Sequence, residues 1–347
     1  MRQKKLDGEK QTSASRACNI CRDARSAAAW KIPVLLGIAF IAVFSSSLPG
    51  TPPPAKTTYT YKRVGNLEIR ADVYRPGDPG ERPVLVNVHG GALMKSGRES
   101  LPRPVPDLIE KGYVVVSVDY RLGPETRLPE IIEDVADACR WVRSRGRSLF
   151  GADTRKMGVI GHSAGGFLTL AMGHRLQPPP SFLVSFYGYG ELVGHWATGP
   201  SPDPEHWETS ISAEEADKRP ADPPISNASE RSYSILPYYN YYRQKGLWPK
   251  MLTGWDPIAE KYKYVPYLPL FNVTPAYPPT LLVHGSRDMD VPAQQSRLMA
   301  DRLTQHNVEH ELLILEGAEH GLRGVDPQRL EEAYRTAIRF VDRFMGR

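Results

Sequence analysis

A glycine-rich segment at residues 161–166, with the sequence Gly-His-Ser-Ala-Gly-Gly, constrains this chain more than any other. It follows an apolar run at residues 157–160 and precedes a stretch of helical character. A serine on a sharp turn between a strand and a helix stands out from its sheet, and only small neighbours leave room for such a turn. Gly161 and Gly165 flank Ser163 in the required way. The segment therefore predicts a strand, a tight turn with an exposed serine, and a helix.

A pattern as short as Gly-x-Ser-x-Gly also arises by chance in a chain with 29 glycines, as a turn with an incidental serine. The surrounding sequence favours the first interpretation. Alternating residues around a turn at 59–74 predict an antiparallel hairpin, and apolar, valine-rich runs at 84–88 and 113–118 are typical of buried parallel strands. Helical periodicity at 129–142 is followed by further alternating strands and helices. The pattern predicts an α/β fold with a mostly parallel, doubly wound sheet and helices on both faces.

One long segment, residues 188–276, interrupts this alternation and is rich in aromatic residues and proline. Its position between two strands predicts an inserted cap that covers Ser163 and shapes an apolar, aromatic pocket. The alternative is that many of these aromatic side chains only pack the small core of the insertion itself. The aromatic residues concerned are Trp196, Trp207, Tyr238, Tyr239, Tyr241, Tyr242, Trp248, Trp255 and Tyr267.

Two loops further along the chain carry partners that could activate the serine. A serine hydroxyl needs a base to accept its proton, and the base needs a carboxylate to orient it. His320 and Asp288 each follow directly on an apolar strand, and the chain order Ser163, Asp288, His320 is that of the α/β-hydrolase arrangement. Asp290 is the rival acid, but Asp288 is nearer the strand end. The prediction is a catalytic triad of Ser163, Asp288 and His320.

A third loop could stabilise the negatively charged oxygen of a tetrahedral intermediate. Residues 89–92, with the sequence His-Gly-Gly-Ala, follow the predicted strand at 84–88. A tight glycine turn there can direct the backbone N–H groups of Gly90 and Gly91 at the oxyanion, and the N–H of Ala164 would complete the hole. The alternative is a plain turn between a strand and a loop. We expect an oxyanion hole formed by Gly90, Gly91 and Ala164.

Three other histidines have structural interpretations. His162 lies beside the predicted nucleophile and is expected to shape the turn or to pack nearby. His284 precedes the acid loop, and His310 lies on a predicted strand. None of the three has the combination of strand end and chain order that marks His320.

Together these motifs resemble those of the hormone-sensitive-lipase-like branch of the α/β-hydrolase carboxylesterases. The similarity covers residues 84–344, apart from most of the insertion. It includes HGG at 89–91, DYRLGPE at 119–125, EDV at 133–135, WV at 141–142, HSAGG at 162–166, HGSRD at 284–288 and EHG at 319–321. Ala92 stands where the branch usually has a third glycine. His162 stands where it usually has an acidic residue, and this change brings the chain closer to acetyl-esterase-like and prolyl-oligopeptidase-like relatives. The resemblance implies an α/β-hydrolase fold and an acyl-ester hydrolase that needs no metal or cofactor.

The leading functional hypothesis is a serine carboxylic-ester hydrolase that acts on small to medium esters through an acyl-enzyme. A prolyl-oligopeptidase-like serine peptidase or amidase would use the same triad, but the chain has no region long enough for the propeller of that class. A catalytically silent hydrolase fold that serves as a binding module is the other alternative. The presence of all three triad residues and the oxyanion glycines argues against it.

Composition restricts the partners of the chain rather than its fold. With 347 residues, 41% hydrophobic and 24% charged, it fits one large globular domain with an insertion. A formal net charge of +5 is small for this length, so nucleic acid is not an expected partner. Three cysteines cannot form a disulfide framework, and the Cys18-x-x-Cys21 pair has no second pair, so no metal site is expected. The partner expected is a small-molecule ester; the oligomeric state stays open.

The first 55 residues have the pattern of a targeting segment. A basic tail precedes an uncharged apolar run at residues 32–44, followed by small residues and a proline-rich spacer at 52–54. The run is short for a membrane span and is typical of a signal peptide, although an uncleaved signal anchor gives the same orientation. The sequence therefore predicts export, by secretion or with membrane anchoring, of a catalytic domain at residues 56–347.

Overall fold

The computed structural model of the chain describes residues 54–77, 80–209, 211–218 and 222–346. Eight strands form one sheet. In chain order they are β1 (Ala55–Val64), β2 (Leu67–Arg75), β3 (Arg82–Val88), β4 (Val114–Val118), β5 (Ala152–His162), β6 (Leu183–Phe186), β7 (Thr280–Gly285) and β8 (His310–Leu315). Their order across the sheet is β1-β2-β4-β3-β5-β6-β7-β8. The two pairings of β2 are antiparallel and the others parallel, which confirms the predicted hairpin and the mostly parallel sheet.

Helices cover both faces of this sheet. In chain order they are α1 (Val105–Glu110), α2 (Leu128–Phe150), α3 (Ala164–Arg175), α4 (His195–Thr198), α5 (Ala213–Asp217), α6 (Leu236–Gln244), α7 (Trp248–Thr253), α8 (Lys261–Tyr264), α9 (Gln294–Gln305) and α10 (Pro327–Met345). The buried side chains of α2, α3 and α9 belong to one apolar core, and those of α1 and α10 to a second. The doubly wound arrangement predicted from the sequence is confirmed.

Strand β3 shows why continuous apolar runs form the centre of the sheet. Side chains alternate between the two faces of a strand. Val84, Val86 and Val88 accordingly belong to the core with α2 and α3, whereas Leu85 belongs to the core with α1 and α10. A strand covered on both faces buries consecutive side chains, which explains the nearly continuous apolar run at residues 84–88.

The segment between β6 and β7 is the predicted insertion, and it folds into the short helices α4 to α8 with several 3-10 turns between them. Trp248 is its central aromatic residue and is 1% exposed. Its ring lies 5.8 Å from that of Tyr189, 6.1 Å from that of Trp196 and 6.1 Å from that of Tyr239, all in tilted or edge-on geometry. These rings belong to the same apolar core as α2, α3 and α9, so the insertion packs onto the core of the sheet.

The predicted start of the catalytic domain at residue 56 falls one residue inside β1. The predicted tail, apolar segment and proline-rich spacer lie outside the described residues, apart from Pro54 and Ala55. In the ranges that the structure describes, no helix combines the length and the apolar character that crossing a bilayer requires.

A buried ion-pair network attaches the loop after β3 to the sheet. The Arg98 guanidinium lies 3.1 Å from the carboxylate of Asp72 on β2, and its Nη1 lies 2.5 Å from that of Asp119, just after β4. The backbone N–H of Arg98 also donates to Asp119, at 2.7 Å. Asp72 and Asp119 are buried, so each requires the charge partners that it has. The network holds the loop that contains Gly90 and Gly91 against the edge of two strands.

Replacing Arg98 with methionine should destabilise the protein, because it leaves the buried Asp119 carboxylate without its cation. We expect the free energy of unfolding, measured by urea denaturation, to fall by about 3 kcal/mol, the usual loss when a buried pair loses one partner. The matched control is Arg155→Met, which removes an exposed arginine that pairs with Asp153 at the surface, and its denaturation midpoint should stay at the wild-type value. Equal midpoints for Arg98→Met and the wild type would contradict the role of the network.

Candidate active site

Ser163 lies on the turn between β5 and α3, with backbone angles φ 55° and ψ −121°. This left-handed conformation is unusual for a residue with a side chain and is typical of strained functional turns. The residues on either side leave no room for larger groups. A methyl group on Gly161 would overlap the backbone of Gly165, and one on Gly165 would overlap the carbonyl oxygen of Val88. The predicted strand, tight turn and helix are therefore present, for the steric reason that the glycines suggested.

The structure brings the three predicted triad residues together from three separate loops. His320 Nε2 lies 3.0 Å from Ser163 Oγ, and His320 Nδ1 lies 2.7 Å from Asp288 Oδ2. The other carboxylate oxygen of Asp288 accepts the backbone N–H groups of Asp290 at 3.1 Å and Val291 at 2.8 Å. Serine, imidazole and carboxylate thus form one hydrogen-bonded chain, which is the geometry that nucleophile activation requires.

The electrostatics of the chain favour a charged acid and a basic imidazole. Burial opposes ionisation of Asp288, but its hydrogen bonds with His284 and His320 outweigh burial and lower its pKa to about 2. For His320 burial opposes protonation, yet the hydrogen bond with Asp288 and the charges of Asp290 and Asp288 raise its pKa above the ordinary value. Asp288 is therefore ionised at neutral pH, and His320 is a stronger base than a free imidazole.

The two candidate acids, Asp288 and Asp290, lie beside different nitrogen atoms of the His320 ring. Asp288 faces Nδ1, whereas Asp290 Oδ2 lies 3.7 Å from Nε2, on the side of the serine. An orienting acid must hold the nitrogen that does not exchange a proton with serine. The geometry of the triad therefore favours Asp288, and Asp290 has a separate position on the wall of the active-site cavity.

The loop after β3 contacts the turn that carries Ser163. A methyl group on Gly90 would lie 2.7 Å from the carbonyl oxygen of His162, and Gly91 has φ 101°, a backbone conformation that favours glycine. Tyr120 stacks on the His89 ring at 4.2 Å and donates its hydroxyl hydrogen to the His89 carbonyl at 2.9 Å. Both glycines line the cavity with Ser163, while Ala164 is the buried first residue of α3. The three expected oxyanion residues thus lie around the serine.

A cavity of about 520 Å³ opens above Ser163. Its wall contains aromatic and apolar surface, as the sequence predicts, and ionisable side chains as well. Of the nine aromatic residues named in the insertion, Tyr239 and Trp248 line the cavity; Tyr187 and Tyr189, just after β6, line it as well. Ionisable side chains form much of the rest, namely those of Lys95, Asp203, Glu205, His206, Glu208 and Asp290. The sequence did not predict the ionisable part of this wall, because the acidic residues of the insertion do not follow a pattern that shows where they point.

His162 and His284 have structural surroundings, as expected from their positions. His162 is buried against Phe186, with ring centroids 4.7 Å apart, and its Nε2 lies 3.0 Å from the Arg103 carbonyl; burial lowers its pKa to about 4. His284 lies 2.7 Å from Ser296 Oγ and 2.8 Å from the Val291 carbonyl, and so braces the loop that carries the acid.

Sequence reasoning missed a cluster of side chains around Asp290. Arg243 Nη2 lies 3.3 Å from its carboxylate, His206 Nε2 lies 3.5 Å away, and the Tyr239 hydroxyl 3.4 Å away. Arg243 and Tyr239 belong to α6, and His206 belongs to a 3-10 turn at Pro204–Trp207. These segments of the insertion carry no motif, so no sequence signal connected them to the triad.

Replacing Gly165 with alanine should disrupt the turn, because the added methyl group would overlap the carbonyl oxygen of Val88. We expect the free energy of unfolding to fall by about 3 kcal/mol, at the upper end for overpacking against rigid backbone. Gly65→Ala is the control, since Gly65 has open space around it; its positive φ of 56° should cost about 1 kcal/mol through backbone strain alone. Urea denaturation of both variants measures the difference, and equal stabilities would refute the close contact.

Comparison with known proteins agrees with this geometry. A family model described as alpha/beta hydrolase fold matches residues 85–323. The non-reducing polyketide synthase ausA of Aspergillus calidoustus is 27% identical over 346 residues, covering 84% of this chain and 14% of the synthase. Methylphloroacetophenone synthase of Cladonia uncialis is 32% identical over 153 residues, covering 39% of this chain and 6% of that protein. The chain therefore spans only a small part of the length of these relatives.

Solved structures show the same fold. A protein of unknown function from Staphylococcus aureus subsp. aureus Mu50 has a TM-score of 0.67 at 20% identity, covering 83% of this chain and 99% of its own. Thermogutta terrifontis Est2 with butyrate bound, a thermophilic esterase, has a TM-score of 0.58 at 21% identity, covering 82% and 93%. Esterase 2 from that species, phosphoramylated by tabun, has a TM-score of 0.58 at 20% identity, covering 84% and 95%. The chain belongs to the α/β-hydrolase fold family, as its resemblance to the hormone-sensitive-lipase-like branch predicts.

Proposed function

We propose that this protein is a serine hydrolase of carboxylic esters and that it acts through an acyl-enzyme. One observation carries the proposal: the hydrogen-bonded chain from Ser163 through His320 to Asp288 opens onto a cavity beside the Gly90–Gly91 turn. Similarity in fold to an esterase with butyrate bound supports the same reaction class. The family itself hosts several chemistries, so the site carries more weight than the fold.

In the proposed reaction Ser163 Oγ attacks the ester carbonyl carbon while His320 Nε2 accepts the hydroxyl proton. Backbone N–H groups of Gly90, Gly91 and Ala164 stabilise the oxyanion of the tetrahedral intermediate. When the intermediate collapses, the bond between the carbonyl carbon and the alcohol oxygen breaks, and His320 gives its proton to the departing alcohol. Water then attacks the acyl-enzyme with His320 as base, which releases the acid and restores Ser163.

This mechanism predicts how the rate of hydrolysis changes with pH. His320 must be neutral to accept a proton, so the rate rises as pH passes upward through its pKa. Because that pKa lies above the ordinary value, the rise begins at higher pH than for an unperturbed histidine. Asp288, with a pKa of about 2, is ionised throughout this range.

The first test is removal of the nucleophile. Ser163→Ala should lower hydrolysis of p-nitrophenyl acetate by about a thousandfold or more and abolish labelling by a fluorophosphonate, because no other group supplies the attacking oxygen. The control is Ser286→Ala, which should still be labelled. It removes a serine hydroxyl of the loop after β7 that accepts a hydrogen bond from the Gly317 N–H. Full activity in Ser163→Ala would overturn the proposal.

Faster turnover of a p-nitroanilide than of the matching ester would favour the peptidase alternative. Absence of turnover and of labelling in the wild type would favour the binding-module alternative. Both outcomes can be measured with the wild-type protein, since a peptidase would turn over the anilide faster than the ester and a binding module would turn over neither.

A second test concerns acyl length. Ionisable side chains interrupt the apolar lining of the cavity, so we expect kcat/KM to be highest for p-nitrophenyl acetate to butyrate. From butyrate to dodecanoate it should fall by at least about tenfold, since each buried CH₂ group would gain little transfer free energy there. The measurement is a series of p-nitrophenyl esters below their critical micelle concentrations. Best activity on dodecanoate would contradict the expected short-chain preference.

A further inference from the structure

A second carboxylate faces the proton-carrying edge of the proposed catalytic histidine. Two groups lie near His320 Nε2: Ser163 Oγ at 3.0 Å and Asp290 Oδ2 at 3.7 Å. Asp290 lines the cavity, whereas Asp288 lies on the opposite edge of the ring. The triad accounts for Asp288 and leaves Asp290 without a role.

The position of Asp290 is fixed from several directions. Arg243 Nη2 donates to the Asp290 carbonyl at 2.8 Å and lies 3.3 Å from its carboxylate. Arg243 is itself 1% exposed, and its guanidinium lies 5.5 Å from the ring of Trp196 and 5.2 Å from that of Trp248. The two aromatic rings fix the position of the Arg243 guanidinium, and the guanidinium in turn restricts the position of the Asp290 carboxylate. The carboxylate therefore has a defined place relative to His320.

The charge of Asp290 follows from its neighbours. Burial opposes its ionisation, but the charge of Arg243, followed by those of His320 and His206, holds its pKa below the usual value. Burial lowers the pKa of His206, so that ring is neutral at neutral pH. The titratable and charged groups that face Asp290 or His320 from the surrounding elements are Lys95, Tyr187, Asp288, His206, Tyr239, Arg243 and Arg323. Among them Arg243 is the one cation in direct contact with the carboxylate in the structure as described.

We propose that Asp290 is a positioning residue of this active site, whose carboxylate, held by Arg243, stabilises the His320 ring while it carries the serine proton. The inference rests on the proposed function. During attack on the ester, the proton moves from Ser163 Oγ to His320 Nε2 as the bond between Oγ and the carbonyl carbon forms. Asp290 accepts no proton, and its negative charge favours the cationic ring until the proton passes to the departing alcohol.

The test is the titration of His320 in the full-length protein, with and without the carboxylate. Asp290→Asn keeps the shape of the side chain and removes its charge. We expect the pKa of His320, read by NMR from ring resonances assigned through their loss in His320→Gln, to fall by about 1 unit, the lower end for a lost opposite charge at this distance. The rising limb of fluorophosphonate labelling against pH should move to lower pH by the same amount.

The control is Glu319→Gln, which removes a negative charge from the residue next to His320 but at an exposed position. Solvent and salt screen such a charge, so neither the pKa nor the labelling limb should move. Asp288→Asn is the contrasting variant: loss of the orienting acid should lower the labelling rate by about ten thousandfold. Asp290→Asn should lower the plateau rate by less than about tenfold, since Asp288 still orients the ring.

Asp290→Ser provides a second variant that removes the charge and leaves the backbone carbonyl to which Arg243 donates. A His320 pKa that is unchanged or raised in Asp290→Asn, or in Asp290→Ser where the first variant does not fold, would overturn the inference. Because the NMR titration needs no turnover, it decides the role of Asp290 separately. A wild-type protein that neither reacts with the fluorophosphonate nor hydrolyses esters would overturn the proposed function. The titration would still show whether the charge of Asp290 affects the pKa of His320.

Discussion

The contact between the glycine turn at Ser163 and strand β3 is the constraint on which the site depends. Gly165 lies so close to the Val88 carbonyl that no side chain fits between them, and the next residues after Val88 form the Gly90–Gly91 turn. Ser163 and the expected oxyanion donors are therefore positioned by one backbone contact between the start of α3 and the end of β3. Parallel strands end at the same edge of the sheet, so the loops after β7 and β8 bring the acid and the base to that edge as well.

The inserted segment adds charge to a site whose framework is apolar. Arg243, packed between two tryptophan rings of the insertion, contacts Asp290 on the loop after β7. Trp196 and Trp248 thus bury and fix a cation, and the cation fixes a carboxylate at the cavity wall. We expect such a wall to favour polar groups near the ester over long hydrocarbon chains. The candidate triad and much of the cavity wall thus come from different parts of the chain.

Most of the framework could be predicted because it rests on local patterns. Continuous valine-rich runs mark strands covered on both faces, and the glycines around Ser163 mark a turn that excludes side chains. Ser163, Asp288 and His320 each follow a strand, so their convergence follows from topology. The cavity wall could not be predicted in this way. Arg243, His206 and Tyr239 lie on short irregular elements, where neither helical nor strand periodicity shows which side chains face inward.

The loop after β7 shows how two nearly adjacent carboxylates come to face opposite edges of one ring. One oxygen of Asp288 accepts the backbone N–H groups of Asp290 and Val291, and this folds the chain back upon itself within three residues. The other oxygen is left for His320 Nδ1, while the side chain of Asp290 is carried round to the Nε2 edge. Spacing alone cannot separate the two acids, because the hydrogen bonds that turn the loop decide which edge each one meets. The acid that shapes the loop is thereby also the one whose second oxygen meets His320 Nδ1, as an orienting acid must, and the acid that the loop displaces lies beside the Nε2 edge, where Arg243 holds it.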